Sequence, residues 1–237
     1  DPQAAWVAET GKKTVANPGL ATKIMRAYKL AVIVPFSNEF RRDAAALYDE
    51  CVRRLPGALA ETFDATVFGS VQAPGADFDT FANVTAQDIS TGKEYAGIVA
   101  ADAAIAANGG ILNGFALAPQ GKAALLKAVD TNKRPLFINN MAEGAIPMIL
   151  GARALVSKGA YVAGSPATVG YAGDWTQAMY GTVEGVTIRY SADATLETGT
   201  GENIQRINLF QQNMFAVLAE IELGFRADLT VFNRLTA

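Results

Sequence analysis

The sequence predicts an α+β fold in which a few helices occupy the first half of the chain and strands dominate the second half. Helices are indicated by apolar residues at three- and four-residue spacing between Phe40 and Phe63 and by an Ala-rich segment at 92–107. Strands are indicated by short apolar segments between turns and, near the end, by alternation from Phe215 to Leu223. With 237 residues, the chain is long enough for one large domain or two small ones.

The first thirty residues are basic and rich in turn-forming residues. Two strand-like stretches, 5–8 and 21–24, flank a turn at 17–19, a pattern that predicts a hairpin or a long loop. An isolated hairpin is barely stable in water, so we expect this one to need a partner surface. An alternative interpretation is a frayed terminus. The chain opens without an initiator Met, which indicates that it begins inside a longer gene product.

A short apolar strand at 30–35 is expected to end at a proline and to be followed by a helix. Ser37 or Asn38 is a suitable N-cap for that helix. Glu39 lies in the first turn, where the helix dipole favours an acidic group.

The helix that follows is amphipathic, with a predicted length of roughly 25 residues, or about 38 Å. Pro56 and Gly57 lie inside it and are expected to bend it. Cys51 falls on the apolar side and is expected to be a small buried residue rather than a reactive thiol. The predicted apolar face consists of Phe40, Ala44, Leu47, Cys51, Leu55, Leu59 and Phe63.

Downstream of this helix, residues 69–90 have the composition of a loop. A second helix at about 92–107 ends at Asn108-Gly109-Gly110, which is a helix stop signal. A strand at 111–118 and a short helix at about 119–129 follow. Further strands are predicted at 135–138, 154–157, 161–163, 179–181, 186–191, 215–223 and 231–232.

The composition excludes several common kinds of site. The chain has no His, so a Ser-His-Asp triad, a Cys-His pair and His metal ligands are excluded. Its single Cys excludes an intramolecular disulfide and a Cys-rich zinc site. The net charge of −3 is too balanced for general nucleic-acid affinity. The longest uncharged run, 103–121, contains Gly and Pro residues that break a membrane-spanning helix. We expect no cofactor and no membrane contact.

Carboxylates and aromatic residues are the remaining candidates for a site. The Gly-rich stretch 164–173 lacks the Gly-Lys-Ser/Thr of a phosphate-binding loop. Asp174-Trp175 is typical of a turn anchored by an aromatic ring, and Trp6 and Trp175 are expected to be packing or interface residues. Glu220 and Glu222 share one face of a predicted strand, where a metal or a general acid is conceivable, but a solvated or partner-facing strand edge is preferred. The other carboxylate pairs are Asp77/Asp79 and Asp193/Glu197.

Several short segments occur in a specific order and spacing along nearly the whole chain. They are Ala5-Trp6-Val7-Ala8-Glu9, the segment 29–40, the helix end 63–69, the segment 169–181 with Gly173-Asp174-Trp175, the segment 208–220, and Phe225 and Phe232. Together these segments resemble the major capsid proteins of tailed bacteriophages, a family with the HK97 fold.

The resemblance implies an HK97-like capsid fold with a long spine helix and three named regions. Residues 1–30 would belong to the extended loop (E-loop) that lies across a neighbouring subunit. Residues 31–90 would form the peripheral (P) domain with the spine helix, and 91–195 the axial (A) domain around the symmetry axes. Residues 196–237 would return to the P domain as strands. The N-terminal arm of the family would precede Asp1.

The resemblance also implies a function, namely that of a structural subunit rather than an enzyme. Such subunits self-assemble into pentamers and hexamers of an icosahedral virion shell, which encloses double-stranded DNA without sequence-specific binding. Assembly would occur in the cytoplasm of the bacterial host, with scaffolding, portal and decoration proteins as expected partners. The candidate subunit-interface residues are Trp6, Glu9, Lys12, Lys13, Lys23, Arg26, Arg41, Arg42, Arg53, Arg54 and Trp175.

Some members of the family join an E-loop Lys to a P-domain Asn of a neighbour by an isopeptide bond, assisted by a buried Glu. The candidates here are Lys12, Lys13, Asn208 and Asn213. None of them aligns with the crosslinking positions, and most relatives lack the bond.

Three alternatives stay open at this point. One is an encapsulin-type nanocompartment shell, which has the same fold but holds cargo enzymes. Another, from a different class, is a small α+β enzyme that uses carboxylates. The third is a minor capsid or decoration protein.

Overall fold

The computed structural model describes residues 6–7, 9, 23–130, 132–137, 148–199 and 203–237. The predicted hairpin at 5–24 lies mostly outside these residues. The helices are α1 (Asn38–Asp43), α2 (Ala45–Val67), α3 (Glu94–Ala107) and α4 (Pro119–Lys127). The strands are β1 (Tyr28–Ser37), β2 (Thr85–Asp88), β3 (Gly114–Leu117), β4 (Met148–Ile149), β5 (Ala152–Val156), β6 (Thr168–Gly173), β7 (Ala178–Ser191), β8 (Thr195–Thr198), β9 (Gln205–Asn208), β10 (Met214–Ala227) and β11 (Phe232–Thr236).

A three-stranded antiparallel sheet has the order β1-β10-β7. Alternate side chains of β10, among them Phe215 and Val217, pack against Leu55 and Leu59 of α2. This is the face that the alternation in the sequence predicted. Pro35 lies inside β1 rather than ending it, because β1 is an edge strand and a residue without an N–H is tolerated there.

The long helix begins as predicted but is interrupted at a different place. Ser37 caps α1, its Oγ accepting a hydrogen bond of 3.0 Å from the backbone N–H of Phe40. The helix breaks at Ala44, where φ is −132° and ψ is 47°, and α2 then continues through Pro56 without interruption.

The residues of α2 that face the sheet differ in part from those predicted. Leu55 and Leu59 are buried as predicted, but Leu47 and Cys51 are exposed, with Leu47 61% exposed. The prediction of a buried Cys51 is therefore wrong. It followed steps of four residues along the helix, and each such step turns about 40° past a full turn. The face that packs against the sheet runs through Tyr48 and Val52 to Leu55 and Leu59 instead.

A six-stranded mixed sheet has the order β2-β11-β6-β3-β5-β4. β6 is buried along its whole length, which explains why it carries no alternating pattern. Position 173 requires a glycine, because an added Cβ would overlap the ring of Phe232. The hydroxyl of Tyr171 donates a hydrogen bond of 2.5 Å to the carbonyl of Phe68, which joins this sheet to the C-terminal end of α2. Burial raises the pKa of Tyr171.

Several predicted elements differ from those observed. The predicted loop at 69–90 contains β2, and the segments 179–181 and 186–191 are parts of the single strand β7. Among the described residues of 135–138, Pro135 forms only an isolated bridge with Val129. β6 and the β8–β9 hairpin were not predicted. These are short or wholly buried segments that lack an alternating pattern.

The two sheets are built from interleaved parts of the chain. β7 follows β6 of the six-stranded sheet, but it pairs with β10 in the three-stranded sheet. β11 follows β10 and pairs with β2 and β6 in the six-stranded sheet. Because β11 completes that sheet from the end of the sequence, no single cut in the chain separates the two sheets.

Candidate intersubunit surfaces

A cluster of five charged residues lies where the chain enters β1. The cluster joins Lys23 and Arg26 to two carboxylates of the loop before β2 and to Arg226 of β10. The ion pairs are Lys23 Nζ–Asp79 Oδ2 at 2.6 Å, Arg26 Nε–Asp77 Oδ2 at 3.1 Å, Arg226–Asp77 at 2.7 Å and Arg226–Asp79 at 3.0 Å. We call these five residues the anchor cluster.

The anchor cluster also binds the backbone on both sides. The Arg226 Nε donates to the carbonyl of Ile24 at 2.7 Å, and Lys23 Nζ donates to the carbonyl of Ala227 at 2.6 Å. Burial opposes the charged form of Asp79, but hydrogen bonds from Lys23 and from the N–H of Ala227 outweigh it and lower the pKa of this carboxyl. The segment 23–27, which has no regular secondary structure, is thereby fixed to the body of the protein.

This network changes the interpretation of three predicted features. Lys23 and Arg26 were expected to contact another subunit, and in the structure both bind carboxylates of their own chain. Asp77 and Asp79 were considered as a carboxylate pair for a site, and in the structure they are the partners of those cations. The spacing in the sequence could not predict this cluster, because Asp79 and Arg226 lie 147 positions apart.

The face of the three-stranded sheet opposite α2 carries a second set of charges. Lys29 lies 3.6 Å from a carboxylate oxygen of Glu220 and 3.1 Å from one of Glu222, and Arg189 lies 3.4 Å from Glu220. The hydrogen bond to Glu222 and the charges of both carboxylates raise the pKa of Lys29. The two glutamates share one face, as predicted, but they stand on the central strand of the sheet and not on an edge.

The exposed side of α1 and α2 carries the four arginines proposed as interface residues. Three of them have partners nearby in the sequence: Arg42 pairs with Asp43 at 2.8 Å, and both Arg53 and Arg54 pair with Glu50. The Arg41 guanidinium lies over the ring of Phe215, 4.9 Å from its centroid. All four arginines are exposed, so their charges remain available at the surface.

Many large apolar side chains are exposed in the described part of the chain. Three groups of them are close in the sequence: the first lies on β7, the second on and beside β4 and β5, and the third at Trp6 and Val7. The side chains concerned are Met179, Tyr180, Val183 and Tyr190 on the first, Met148, Leu150, Leu155 and Val156 on the second, and Trp6 and Val7 on the third. Clusters of this kind mark interaction surfaces, whereas single exposed apolar residues do not.

Trp175 lies beside an open groove on the six-stranded sheet. Asp174 caps its turn, accepting from the N–H of Thr176 at 3.1 Å, and the Trp175 ring packs edge-on against Phe81 and Phe232 with centroids 5.7 and 5.3 Å away. The turn anchored by an aromatic ring is thus present as predicted. A Cβ at Gly114 would lie only 2.6 Å from the ring. Trp175 is therefore a packing residue of its own chain that also lines the groove.

The residues considered for an isopeptide crosslink differ in their surroundings. Asn213 Nδ2 donates to Glu39 at 2.8 Å, and Asn38 Nδ2 donates to Asn213 Oδ1 at 2.9 Å. Asn208 Oδ1 accepts from the N–H of Gln211 at 3.0 Å. Lys12 and Lys13 lie outside the described residues, and Glu9 is exposed.

Within the described ranges, no group of three or more His, Cys, Asp or Glu side chains is placed to hold a metal ion. None of the helices in the same ranges is long and apolar enough to cross a membrane. The surfaces described above are the remaining candidates for a functional site.

The profile of the phage capsid family matches residues 1–229. The chain belongs to the phage capsid family. The probable major capsid protein gp17 of Mycobacterium phage D29 is 30% identical over 254 residues, which cover 100% of this chain and 77% of that protein. The protein of the same name from Mycobacterium phage L5 is 28% identical over 100% of this chain and 76% of its own length. The phage capsid protein described here is therefore a structural subunit of a virion, in a family not known to be enzymatic.

The solved structures agree on the fold of this capsid protein. A chain from Gordonia phage Cozz matches with a TM-score of 0.79 and 19% identity, covering 100% of this chain and 78% of that one. A chain from Mycobacterium phage Adephagia matches with a TM-score of 0.78 and 18% identity, covering 99% of this chain and 81% of that one. The predicted HK97-like fold is confirmed. The relatives match the capsid interpretation and not the encapsulin or enzyme alternatives.

Proposed function

We propose that this capsid protein assembles into pentamers and hexamers, and that the resulting icosahedral shell encloses double-stranded DNA. The observation that carries the proposal is the exposure of large apolar side chains on β7, around β4 and β5, and at Trp6 and Val7 of one chain. A ring needs two different patches, one on each side of the subunit, because its contacts are heterologous. Contacts between rings need a third surface.

We assign the named regions of the family to the observed sheets. The three-stranded sheet with α1, α2 and the β8–β9 hairpin corresponds to the P domain, with α2 as the spine helix. The six-stranded sheet with α3 and α4 corresponds to the A domain and includes β11. The segment 23–27 is the fixed base of the E-loop, which makes Lys23 and Arg26 anchoring residues. Trp6, Glu9, Lys12, Lys13 and the four arginines of α1 and α2 remain the proposed contacts between subunits.

The charge of the chain supports a shell that encloses DNA without binding a sequence. The net charge is −3, and the exposed arginines of α1 and α2 have carboxylate or aromatic partners rather than forming a continuous basic surface. Assembly would take place in the bacterial cytoplasm. Scaffolding, portal and decoration proteins are the partners we expect there.

Assembly is tested by light scattering coupled to size exclusion, with negative-stain electron microscopy of the same fractions. We expect pentamers, hexamers or closed particles. Val183→Asp places a charge on a side chain that is 64% exposed on β7 and should reduce particle formation without changing the Tm. Thr198→Asp, on the exposed strand β8, is the matched control. A chain that remains monomeric at high concentration would contradict the proposal.

The contents of the particles distinguish a capsid from a compartment. Particles from infected cells are treated with nuclease, and the protected material is extracted and sized. We expect protected double-stranded DNA. Particles that contain only a second protein would favour the encapsulin interpretation.

A further inference from the structure

Trp6 is the most exposed large apolar residue of the described chain. Its exposed fraction is 105%, Val7 beside it is 40% exposed, and among the described residues no aromatic ring contacts the indole. Burying an aromatic side chain typically removes about 150–250 Å² from water, so an exposed tryptophan at an interface is a strong candidate for an anchor. The question is which surface receives it.

The groove beside Trp175 has the size and lining to receive an indole. Its volume is about 350 Å³. It is lined by two small residues of β3, Gly114 and Ala116, and by the rings of Phe68 and Trp175. Leu155 of β5, which is 64% exposed, also lines it. A side chain at position 114 would overlap the Trp175 ring.

The groove also offers polar partners of the appropriate kind. Asp64 lines it, and its Oδ2 accepts from the hydroxyl of Ser157 at 3.1 Å, while its Oδ1 accepts no hydrogen bond from any described residue. An indole N–H is a donor only, so a carboxylate oxygen among the lining groups suits it. Arg153 also lines the groove and makes no ion pair with the described residues.

We propose that Trp6 of one subunit inserts into the groove between β3, β5 and Trp175 of a second subunit. The proposal rests on the assembly proposed above and names one of its contacts. Within one chain the indole is exposed and the groove is open. A second copy of the chain would bury the indole and fill the groove through one contact that repeats from subunit to subunit. The contact is heterologous, since every subunit gives one Trp6 and receives one. It therefore runs around a ring and closes when the ring closes.

Disulfide mapping tests this contact directly. Cys51 is the only native cysteine, so a Cys51→Ser background carries no other thiol. In that background, Val7→Cys and Leu155→Cys are combined in one chain, which leaves Trp6 in place. After assembly and mild oxidation, we expect a ladder on a non-reducing SDS gel that ends at five and six subunits. Val7→Cys with Thr198→Cys, an exposed residue on β8 outside the proposed contacts, is the control and should give no ladder.

The outcomes separate this inference from the proposed function. Particles in the microscope without a ladder would overturn the Trp6 contact and leave assembly standing. A single fast-migrating monomer would show that the segment occupies the groove of its own chain, which also overturns the contact. The absence of both particles and ladder would overturn the two proposals together.

Substitutions of Trp6 give a second, independent readout. Trp6→Ala should slow assembly at least tenfold, and Trp6→Phe, which keeps an aromatic ring, should restore part of the rate. The Tm of the unassembled chain should be the same for both variants, because Trp6 is exposed there. Equal assembly rates for the wild-type chain and Trp6→Ala would contradict the inference.

Discussion

Arg226 donates a hydrogen bond to Asp79 across 147 positions of the sequence, with Nη1 and Oδ1 3.0 Å apart. Both side chains are largely buried, at 14% and 13% exposure. Since a buried pair is costly to break from one side, this contact should hold the loop before β2, the end of β10 and the segment 23–27 in one arrangement.

Asp79→Asn is expected to lower the free energy of unfolding by about 3 kcal/mol at neutral pH, because it leaves the Arg226 charge without one of its two carboxylates. The pKa of Asp79 is lowered in the folded chain. Its contribution is therefore present above the pKa of an unfolded Asp, near 3.9, and is lost as the pH falls through the lower folded value. Denaturant unfolding of unassembled chains measures the difference in free energy of unfolding between the variant and the wild type. This difference should be constant between about pH 5 and 8 and should shrink below about pH 4.

Asp102→Asn is the matched control for this prediction. Asp102 lies in α3 and makes no ion pair or hydrogen bond with the described residues. This variant should unfold like the wild-type chain at every pH. A difference between Asp79→Asn and wild type that persists unchanged at pH 3 would contradict the assigned role of the carboxylate.

Two glycines in helices are expected to respond to alanine in opposite directions. Gly97 of α3 is packed against β2, and an added Cβ would overlap the carbonyl oxygen of Asp88. Gly97→Ala should therefore destabilise the chain by about 1–3 kcal/mol in spite of the better helix propensity of alanine. Gly57 of α2 has nothing within 4 Å of an added Cβ, so Gly57→Ala should stabilise it by up to about 1 kcal/mol. Thermal melts of the two variants measure both changes in stability. A Gly97→Ala variant more stable than the wild type would show that α3 moves freely against the sheet.

The thiol of Cys51 should react readily in the native, unassembled chain, because Cys51 is exposed on α2. Titration with a chromogenic disulfide should give one thiol per chain without denaturant, at a rate similar to that in denaturant. Slow reaction in the unassembled chain would support the buried position that the sequence pattern favoured. If the exposed face of α2 contacts a neighbour, the reaction rate of the thiol should fall in assembled particles. Leu47→Ala, four residues away on the same face, should then raise that rate again, because it weakens the contact.

The shell should contain no covalent links between subunits. Glu39 is the carboxylate beside Asn213, and hydrogen bonds from its own backbone N–H and from Asn213 lower its pKa. A carboxylate with a lowered pKa is a weak base, whereas assisting attack on an amide requires a raised one. Purified particles boiled in SDS are therefore expected to give one monomer band. Bands of five, six or more subunits would show that Lys12 or Lys13 reaches an Asn after all.

The sequence was sufficient to predict those elements whose burial pattern is regular. The Ser37 cap, the alternation of β10 and the position of α3 follow from local rules and are all present. It was insufficient where burial is complete or where the apolar spacing fits more than one face of a helix. β6 is buried on both faces and shows no period. In α2 the four-residue spacing pointed to Cys51, whereas Tyr48 and Val52 face the sheet.

The surfaces were harder to predict than the elements. Trp6 and Trp175 were predicted as packing or interface residues from their type alone; Trp175 packs within its own chain, and the interface role of Trp6 stays a prediction. Lys23 and Arg26 were predicted at a subunit interface, because nothing in their spacing reveals that Asp77 and Asp79 lie opposite. Long-range pairing of this kind depends on the sheet topology, and the topology was the feature that could least be predicted from the sequence.

The position of β11 has a consequence for how the chain is made. Thr236 donates to the carbonyl of Gln87, 149 positions earlier, and Leu235 and Phe232 are almost completely buried. Until Phe232–Thr236 has been synthesised, β2 and β6 have no strand between them, so the six-stranded sheet cannot close on a growing chain. A message cut short before this point yields subunits with an open sheet, and we expect the shell to select chains that were translated through it.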